Sequence, residues 1–392
     1  MTPFDEALAI IIDSAWNLPQ EEQPLADCLG RVLAQDVCAD MDMPPFNKSA
    51  MDGYACRHVD LPGPLSVLEV IAAGQVPTQV VGTGQCSKIM TGAPMPAGAD
   101  CVIMVEFTEE VNADSIRFTE EKTNNNFCMQ GEDVKTGDVV LRAGTKLLPQ
   151  HLPILAMVGC ATPCVIRAPR VGIMATGDEL VPVDATPSAA QIRNSNSFQM
   201  EAQASALACV VTNYGIIPDD KDTHTDVLTR AIAENDVVLS TGGVSMGDFD
   251  LVPDLLAAQG LELLIRKIAM QPGKPIVFAL GEEKACFGLS GNPMSSFIQF
   301  EFFVRAFLLA LQGASTAACT VTLPLGETLT RKKGARMGWV PVSIQDGCTV
   351  GKVELHGSAH IGSMACADGF IAFPVGVTTL EKGDSISVRL IR

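Results

Sequence analysis

The alternation of apolar and polar stretches between residues 169 and 312 predicts strands and helices in turn. Short apolar runs of strand length lead into segments of helical periodicity, and that order is typical of a doubly wound parallel sheet with helices on both faces. Ligands of such a sheet bind at the carboxyl ends of its strands. The predicted strands are 171–175, 210–217, 236–240, 263–269, 276–280 and 285–289; the predicted helices are 197–208, 223–233, 250–259 and 294–311.

The rest of the chain has other patterns. Residues 4–16, 25–38 and 147–158 have helical periodicity. Between residues 41 and 140, short apolar runs separated by Gly and Pro predict a β-rich module. After Gln312 an Ala/Ser/Thr-rich linker leads into further short strands, which predict a small β-barrel or sandwich. The expected fold class is therefore multidomain, with α/β and β parts.

Composition narrows the functional classes. The 392 residues carry a net charge of −18, which argues against a nucleic-acid partner, because phosphate backbones select basic faces. The 13 scattered cysteines lack a Cys-x-x-Cys motif and favour reduced thiols in a cytoplasmic protein. The N-terminus has no basic region typical of a signal peptide. Gln299, Glu301 and Arg305 interrupt the apolar run 294–311, so we expect a buried helix and no membrane span.

A glycine-rich loop follows the predicted strand 236–240. Gly242, Gly243 and Gly247 would let backbone N–H groups approach an anion, and a helix N-terminus follows. Asp248 and Asp250 place carboxylates beside that anion, which favours a cation between them. The loop thus suggests phosphate plus a divalent metal, although a tight turn with an acidic helix cap explains it too. It is neither a Walker A loop nor a dinucleotide fingerprint.

Acidic or glycine-rich turns also border the other predicted strands, at 176–180, 218–220, 271–275 and 290–293. The carboxyl ends of parallel strands meet at one edge, so we expect these turns to line one crevice. Glu179, Asp219 and Asp250 are oxygen ligands suited to Mg²⁺. Lys267 and Lys274 can neutralise an oxyanion.

Six spaced motifs resemble those of the MoeA family, the molybdopterin molybdenumtransferases related to the gephyrin E domain. The motifs occur in the family's order, and the resemblance as a whole runs from about residue 5 to the C-terminus. The motifs are Ser-Ala-Met-Asp-Gly-Tyr-Ala at 49–55, Met-Thr-Gly-Ala-Pro at 90–94, Thr-Gly-Asp-Glu-Leu at 176–180, Gly-Gly-Val-Ser-Met-Gly-Asp at 242–248, Pro-Gly-Lys-Pro at 272–275 and Gly-Asn-Pro-Met-Ser at 291–295.

The resemblance implies a homodimer of four-domain subunits. An elongated linking and dimerisation domain would comprise residues 1–40 and 141–168, and the β-rich domain residues 41–140. A MogA/MoaB-like doubly wound α/β domain would span 169–312 and bind molybdopterin, with a C-terminal β-barrel at 313–392. The implied reaction inserts molybdate into adenylylated molybdopterin, with Mg²⁺, and releases AMP. Implied partners are a MogA-type adenylyltransferase and downstream molybdoenzyme maturation proteins, without nucleic acid or membrane.

The family's functional positions are matched one at a time. Those from the β-rich domain, Asp52 and Thr91, are expected to complete the crevice of the partner subunit. The resemblance assigns catalysis to Asp52, Thr91, Glu179, Asp219, Asp250, Lys267 and Lys274, with Glu179, Asp219 and Asp250 also as metal ligands. It assigns pterin-nucleotide or molybdate binding to Gly242, Gly243, Ser245, Gly291, Asn292, Pro293, Ser295, Arg336 and Ser363.

Two positions depart from the family pattern: Gln271 replaces a basic residue before Pro-Gly-Lys-Pro, and Pro341 replaces an arginine. Asp250, rather than Asp248, occupies the family's metal-ligand position. Two other functions stay open at this point. One is a MogA/MoaB-like molybdopterin adenylyltransferase, which shares the glycine loop, and the other is a gephyrin-like scaffold that binds peptides.

Overall fold

A computed structural model of the chain describes residues 1–242, 252–346, 348–354, 357 and 360–391. These residues form two compact units. The first comprises residues 1–34, 144–148 and 164–392, and the second comprises residues 35–143 and 149–163. The division into four domains stays a prediction.

The first unit contains a six-stranded sheet with helices on both faces. Its strands, in order across the sheet, are Val210–Ile217, Arg170–Thr176, Val237–Thr241, Lys284–Leu289, Pro275–Gly281 and Glu262–Lys267. One face packs against Phe4–Asp13, Asn196–Ser205 and the helical run from residue 293 to 311, and the other against Lys221–Glu234 and Val252–Ala258. These elements confirm the predicted doubly wound α/β fold.

The sheet is mixed rather than wholly parallel. Pro275–Gly281 and Lys284–Leu289 form an antiparallel hairpin, with Val277 opposite Gly288. Because Pro275–Gly281 runs in the reverse direction, its first residues lie beside the carboxyl end of Lys284–Leu289. The loop that precedes Pro275 therefore reaches the same sheet edge as the loops that follow the parallel strands.

The helical run at 293–311 is buried, as its sequence predicts. It comprises Pro293–Gln299, a π-helical turn at Phe300–Val304, and Arg305–Leu311. By length and composition alone this run could cross a membrane, but its most apolar window is 83% buried inside the structure. The rings of Phe300, Phe302, Phe303 and Phe307 lie in the main hydrophobic core.

A small β-barrel completes the first unit. The strands of its sheet are, in order, Met270–Gln271, Met337–Gln345, Gly369–Phe373, Ser385–Leu390 and Thr320–Pro324. A further strand, Thr349–Lys352, pairs with Met337–Gln345. A bridge from Leu325 to Val350 closes this sheet on itself. Shorter pairs join Leu329–Thr330 to Thr379–Leu380, Leu180–Val181 to Ile192–Arg193, and Gln20–Glu22 to Cys164–Ile166.

The predicted helix at 25–38 is wrong. Only a 3-10 turn at Leu25–Asp27 forms, and Gly30 has a φ of +81°, a left-handed conformation that does not continue a helix. The following backbone is extended because the N–H of Leu33 donates to the carbonyl of Thr145 at 3.0 Å. The spacing of Leu29, Val32 and Leu33 imitates a helical face, but long-range backbone pairing determines the local conformation.

The second unit is β-rich, as predicted. The strands of its main sheet are, in order, Cys101–Met104, Gly53–Cys56, Gln85–Ile89, Leu65–Ile71, Ser115–Phe118 and Thr108–Asn112. Two small sheets pair Lys48–Ser49 with Phe127–Cys128 and Val37–Cys38 with Val139–Leu141. The helix expected at 147–158 is shorter, at Leu152–Met157. Among the described residues, further short 3-10 turns lie at His58–Asp60, Val105–Phe107 and Gly362–Cys366.

Candidate active site

Two predicted acidic residues occupy neighbouring strand ends in the first unit. Glu179 follows Arg170–Thr176, Asp219 follows Val210–Ile217, and both side chains are exposed. The backbone N–H of Asp219 donates to Asp178 Oδ1 at 3.1 Å, which ties the two turns together. Neither the Glu179 nor the Asp219 carboxylate has a hydrogen bond or ion pair with another described residue. Both are therefore available to a ligand.

Gly242 begins the glycine loop at the end of the third parallel strand. Its φ is +88°, and a Cβ there would lie 2.2 Å from the carbonyl oxygen of Thr176. Only glycine fits this conformation and this close approach. The other predicted loop residues, Gly243, Ser245 and Asp250, lie outside the described residues, as does Asp248.

A cavity of about 650 Å³, which we call the strand-end cavity, opens beside the turns that carry Glu179 and Gly242. Predicted residues Glu179, Gly242, Gly291, Asn292 and Pro293 line it. Asn196, which sequence analysis missed, also lines it; its Nδ2 donates to Thr241 Oγ1 and to the Gly291 carbonyl, both at 2.9 Å. Asn196 thereby joins the third strand to the turn before the last helix. The polar run Arg193–Ser197 was the available sequence signal.

A second cavity of about 750 Å³, the basic cavity, adjoins the first. Pro275, Ser290 and Asn292 line both, so the two cavities share a wall. The basic cavity is lined by the cationic residues Lys274, Arg331, Lys332, Lys333, Arg336 and Lys352. None of the described lining residues is acidic, in a chain with 45 acidic and 27 basic residues. This concentration of positive charge favours an anion.

Gln299 fixes the shared wall. Its side chain is fully buried, and its Oε1 accepts a hydrogen bond of 2.8 Å from the N–H of Ser290. Its Nε2 donates to the carbonyls of Gly273 at 2.9 Å and Pro275 at 2.6 Å. One glutamine therefore holds the Pro-Gly-Lys-Pro loop against the Ser290 turn, and it positions Lys274 and Ser295 along the basic cavity.

The arginines of the basic cavity have different roles. The Arg331 guanidinium donates to three carbonyls, of Val377, Arg336 and Pro374, each at 2.7 Å. Arg331 therefore supports the wall. Arg336 donates to the Met270 carbonyl at 3.2 Å and to Gln271 Oε1 at 3.5 Å, so Gln271 orients a cation instead of supplying one.

Three predicted residues of the first unit are not among the described residues that line either cavity, namely Asp219, Lys267 and Ser363. Lys267 ends the antiparallel edge strand and pairs with Pro275, whereas Ser363 Oγ donates to the His360 carbonyl at 3.4 Å. Sequence analysis missed Lys332, Lys333 and Lys352. The run Arg331–Lys333 was a signal for the first two, because basic residues are scarce in this chain.

The predicted pair Asp52 and Thr91 lies in the second unit and is in direct contact. Both the N–H and the Oγ1 of Thr91 donate to Asp52 Oδ1, at 2.6 and 2.8 Å. These bonds, the backbone one first, lower the pKa of Asp52 below its usual value. The carboxylate is exposed, ionised at neutral pH and has a fixed orientation.

A buried histidine lies beneath the strand-end cavity. His224 Nε2 lies 3.1 Å from Thr176 Oγ1, while its Nδ1 is buried and has no partner among the described residues. Burial lowers the pKa of His224, with Asp219 opposing the shift. The imidazole is therefore neutral, and it supports the strand end that precedes Glu179.

Comparisons with known proteins agree with this architecture. Family models match three consecutive regions: the MoeA N-terminal region (domain I and II) at 2–159, a probable molybdopterin binding domain at 172–310, and the MoeA C-terminal region (domain IV) at 322–391. A crystal structure of the molybdopterin biosynthesis MoeA protein from Pyrococcus horikoshii matches with a TM-score of 0.84 and 30% identity, covering 100% of both chains.

Two relatives are named molybdopterin molybdenumtransferase. The Staphylococcus aureus protein is 39% identical over 320 residues, which cover 80% of this chain and 76% of the relative. The Bacillus subtilis protein is 34% identical over 404 aligned residues, covering 100% of this chain and 94% of the relative. Because three family models match consecutive regions and one relative matches over the whole chain, the chain belongs to the MoeA family.

Proposed function

We propose that this chain is a molybdopterin molybdenumtransferase, which inserts molybdate into adenylylated molybdopterin and releases AMP to give molybdenum cofactor. The observation that carries the proposal is the shared wall of the two cavities. The substrate pair needs a site for a nucleotide with a phosphoanhydride and a neighbouring site for a small tetrahedral dianion. The strand-end cavity supplies glycine and asparagine contacts for the first, and the basic cavity supplies lysines for the second.

Glu179 in the strand-end cavity and Asp219 on the neighbouring strand end fit Mg²⁺. Both are exposed hard-oxygen donors, and neither carboxylate pairs with a cation among the described residues. Glu179, Asp219 and Asp250 would hold the ion, which would neutralise charge on the phosphoanhydride as AMP leaves.

The remaining roles belong to binding and orientation. Gly242, Gly243, Gly291, Asn292 and Pro293 would hold the pterin nucleotide, and Ser245 would help to present molybdate to the dithiolene. Lys274, Ser295 and Arg336 would hold molybdate, with Lys332 and Lys333 adding positive charge. Lys267 and Ser363 line neither cavity, so they would act on the site through its neighbouring segments.

Three further expectations belong to the proposal. The chain would act as a homodimer, with Asp52 and Thr91 completing the partner's crevice. Its partners would be a MogA-type adenylyltransferase and molybdoenzyme maturation proteins, in the cytoplasm. The match of relatives over the β-rich and C-terminal regions as well as the α/β region favours this function over adenylyl transfer. The names of the relatives favour it over a peptide-binding scaffold as well.

The test is the substitution Glu179→Ala. Molybdate-dependent AMP release from adenylylated molybdopterin should fall by orders of magnitude, whereas the pterin nucleotide should still bind, because the glycine and asparagine contacts remain. The matched control is Glu282→Ala, an exposed glutamate in the hairpin turn at the opposite sheet edge. AMP release at the wild-type rate in Glu179→Ala would overturn the assignment.

A further inference from the structure

A cluster of metal-ligating side chains lies in the second unit, apart from the residues assigned above. Cys56 ends the strand Gly53–Cys56, and Cys101 begins the neighbouring strand directly opposite it. Their Sγ atoms lie 3.6 Å apart, and both residues are fully buried. The two sulfurs therefore stay in place through the pairing of the strands.

Two exposed residues extend this pair at the end of the strands. Asp100 precedes Cys101, His58 follows Cys56 by two positions, and the N–H of His58 donates to Asp100 Oδ1 at 2.6 Å. The candidate ligand atoms of His58, Asp100 and Cys101 all lie within 4.8 Å of one another. Among the described residues, no other group of three His, Cys, Asp or Glu side chains meets that distance.

The spacing and the donor types fit one class of metal. Zinc binds sulfur, imidazole nitrogen and carboxylate oxygen at about 2.0 to 2.3 Å, which separates neighbouring ligand atoms by roughly 3.3 to 3.8 Å. The exposed side chains of His58 and Asp100 need to move inward by about 1 Å or less to reach that geometry. Magnesium and calcium prefer oxygen ligands only, so this mixed set excludes them.

Cys56 is placed to support the coordinated sulfur rather than to bind the ion. Its Sγ lies 3.6 Å from the Cys101 Sγ, and the pair is buried at the strand ends, so a thiol at Cys56 can donate a hydrogen bond to a thiolate at Cys101. Hydrogen bonds of this kind to a ligand orient it and tune its affinity.

We propose that His58, Asp100 and Cys101 form a binding site for a borderline-soft divalent cation of the Zn²⁺ class. Cys56 is the hydrogen-bond donor to the coordinated sulfur, and the fourth position is open to water. The site is independent of the proposed Mg²⁺ site, which contains no sulfur among its assigned ligands.

The test uses the full-length chain, reduced with a phosphine and freed of metal by a chelator, and titrated with Co²⁺ as a spectroscopic substitute for Zn²⁺. One equivalent of Co²⁺ should produce a sulfur-to-cobalt charge-transfer band, and Zn²⁺ should displace it. Carboxylates of the strand-end cavity cannot produce this band, because they offer no sulfur. The absence of the band in the reduced wild-type chain would overturn the proposal.

Four variants separate the roles. Cys101→Ser should abolish the band, whereas Cys56→Ser should retain it with several-fold weaker affinity. His58→Gln, an exposed change that spares the core, should weaken Co²⁺ binding at least ten-fold. Cys86→Ser is the control, because Cys86 is a buried cysteine opposite Cys56 on its other side. Equal bands in Cys101→Ser and the wild type would assign the signal to another cysteine and refute the site.

Discussion

Replacing Gln299 with leucine tests how the shared wall of the two cavities is held. Leucine keeps the apolar volume of the side chain but removes three hydrogen bonds to the backbone of Ser290, Gly273 and Pro275. Each buried backbone group left without a partner costs about 1 to 3 kcal/mol. Because the Gly273 loop borders a cavity that water can enter, we expect the lower end of that range, about 3 kcal/mol in total.

The matched control is Gln312→Leu. Gln312 ends the same helical run, is buried, and donates to the carbonyls of Leu207 at 3.3 Å and Leu308 at 3.1 Å. It is not among the described residues that line either cavity. Both variants should be less stable to urea, but only Gln299→Leu should release the loop that carries Lys274.

The assay is urea unfolding combined with equilibrium binding of AMP and molybdate. Gln299→Leu should weaken molybdate binding roughly ten-fold or more, which corresponds to about 1.4 kcal/mol. Gln312→Leu should change the affinity for molybdate by less than about two-fold, which corresponds to less than about 0.5 kcal/mol. If the two variants lose the same stability and bind molybdate equally well, the hydrogen bonds of Gln299 do not position the anion site, and the reasoning fails.

Three further outcomes are expected. Thr91→Val should raise the pKa of Asp52, measured by NMR, toward its ordinary value of 3.8; in the wild type the stabilisation from Asp52 is complete above that value and is lost as pH falls through the lowered folded pKa. The wild type should lose unfolding free energy as pH falls below the ordinary histidine pKa of 6.5, because the folded pKa of His224 is lowered, and His224→Gln should flatten that dependence in urea titrations at pH 7.5 and 5.5. The double change of Lys332 and Lys333 to alanine should weaken molybdate binding and make it less sensitive to salt, measured at two salt concentrations; an unchanged salt dependence would remove both lysines from the anion site.

Sequence patterns predicted the elements of the α/β region well, but not every strand direction. The strands at 171–175 and 210–217 were recognised from their apolar runs and helical successors. The same periodicity applies to a strand in either direction, so the reversal of Pro275–Gly281 required the observed pairing. The helix predicted at 25–38 was wrong for a related reason, since the backbone of this segment pairs with residues 144–147, which lie more than a hundred residues away in the sequence.

The candidate site was predictable where a turn carries its own chemistry. Glu179, Gly242 and Lys274 belong to short motifs whose glycines and charges indicate a ligand. Asn196 and Gln299 act through buried hydrogen bonds to distant backbone, which a local pattern cannot specify. In the sequence, Gln299 is only a polar interruption of an apolar helix.

The reversed strand has a mechanical consequence for substrate selection. The loop at Lys274 precedes the first strand of the hairpin, and the turn at Ser290 follows the second strand. The two segments therefore lie side by side at the open end of the hairpin, where Gln299 is hydrogen-bonded to both. Those two walls must therefore move as a single body, and the gap between them cannot widen for a larger anion. Adjustment to ligand size must then come from the β-barrel, whose residues Lys332, Lys333 and Arg336 also line the basic cavity. Anion discrimination should then respond to changes in the barrel loop more than to changes in the hairpin.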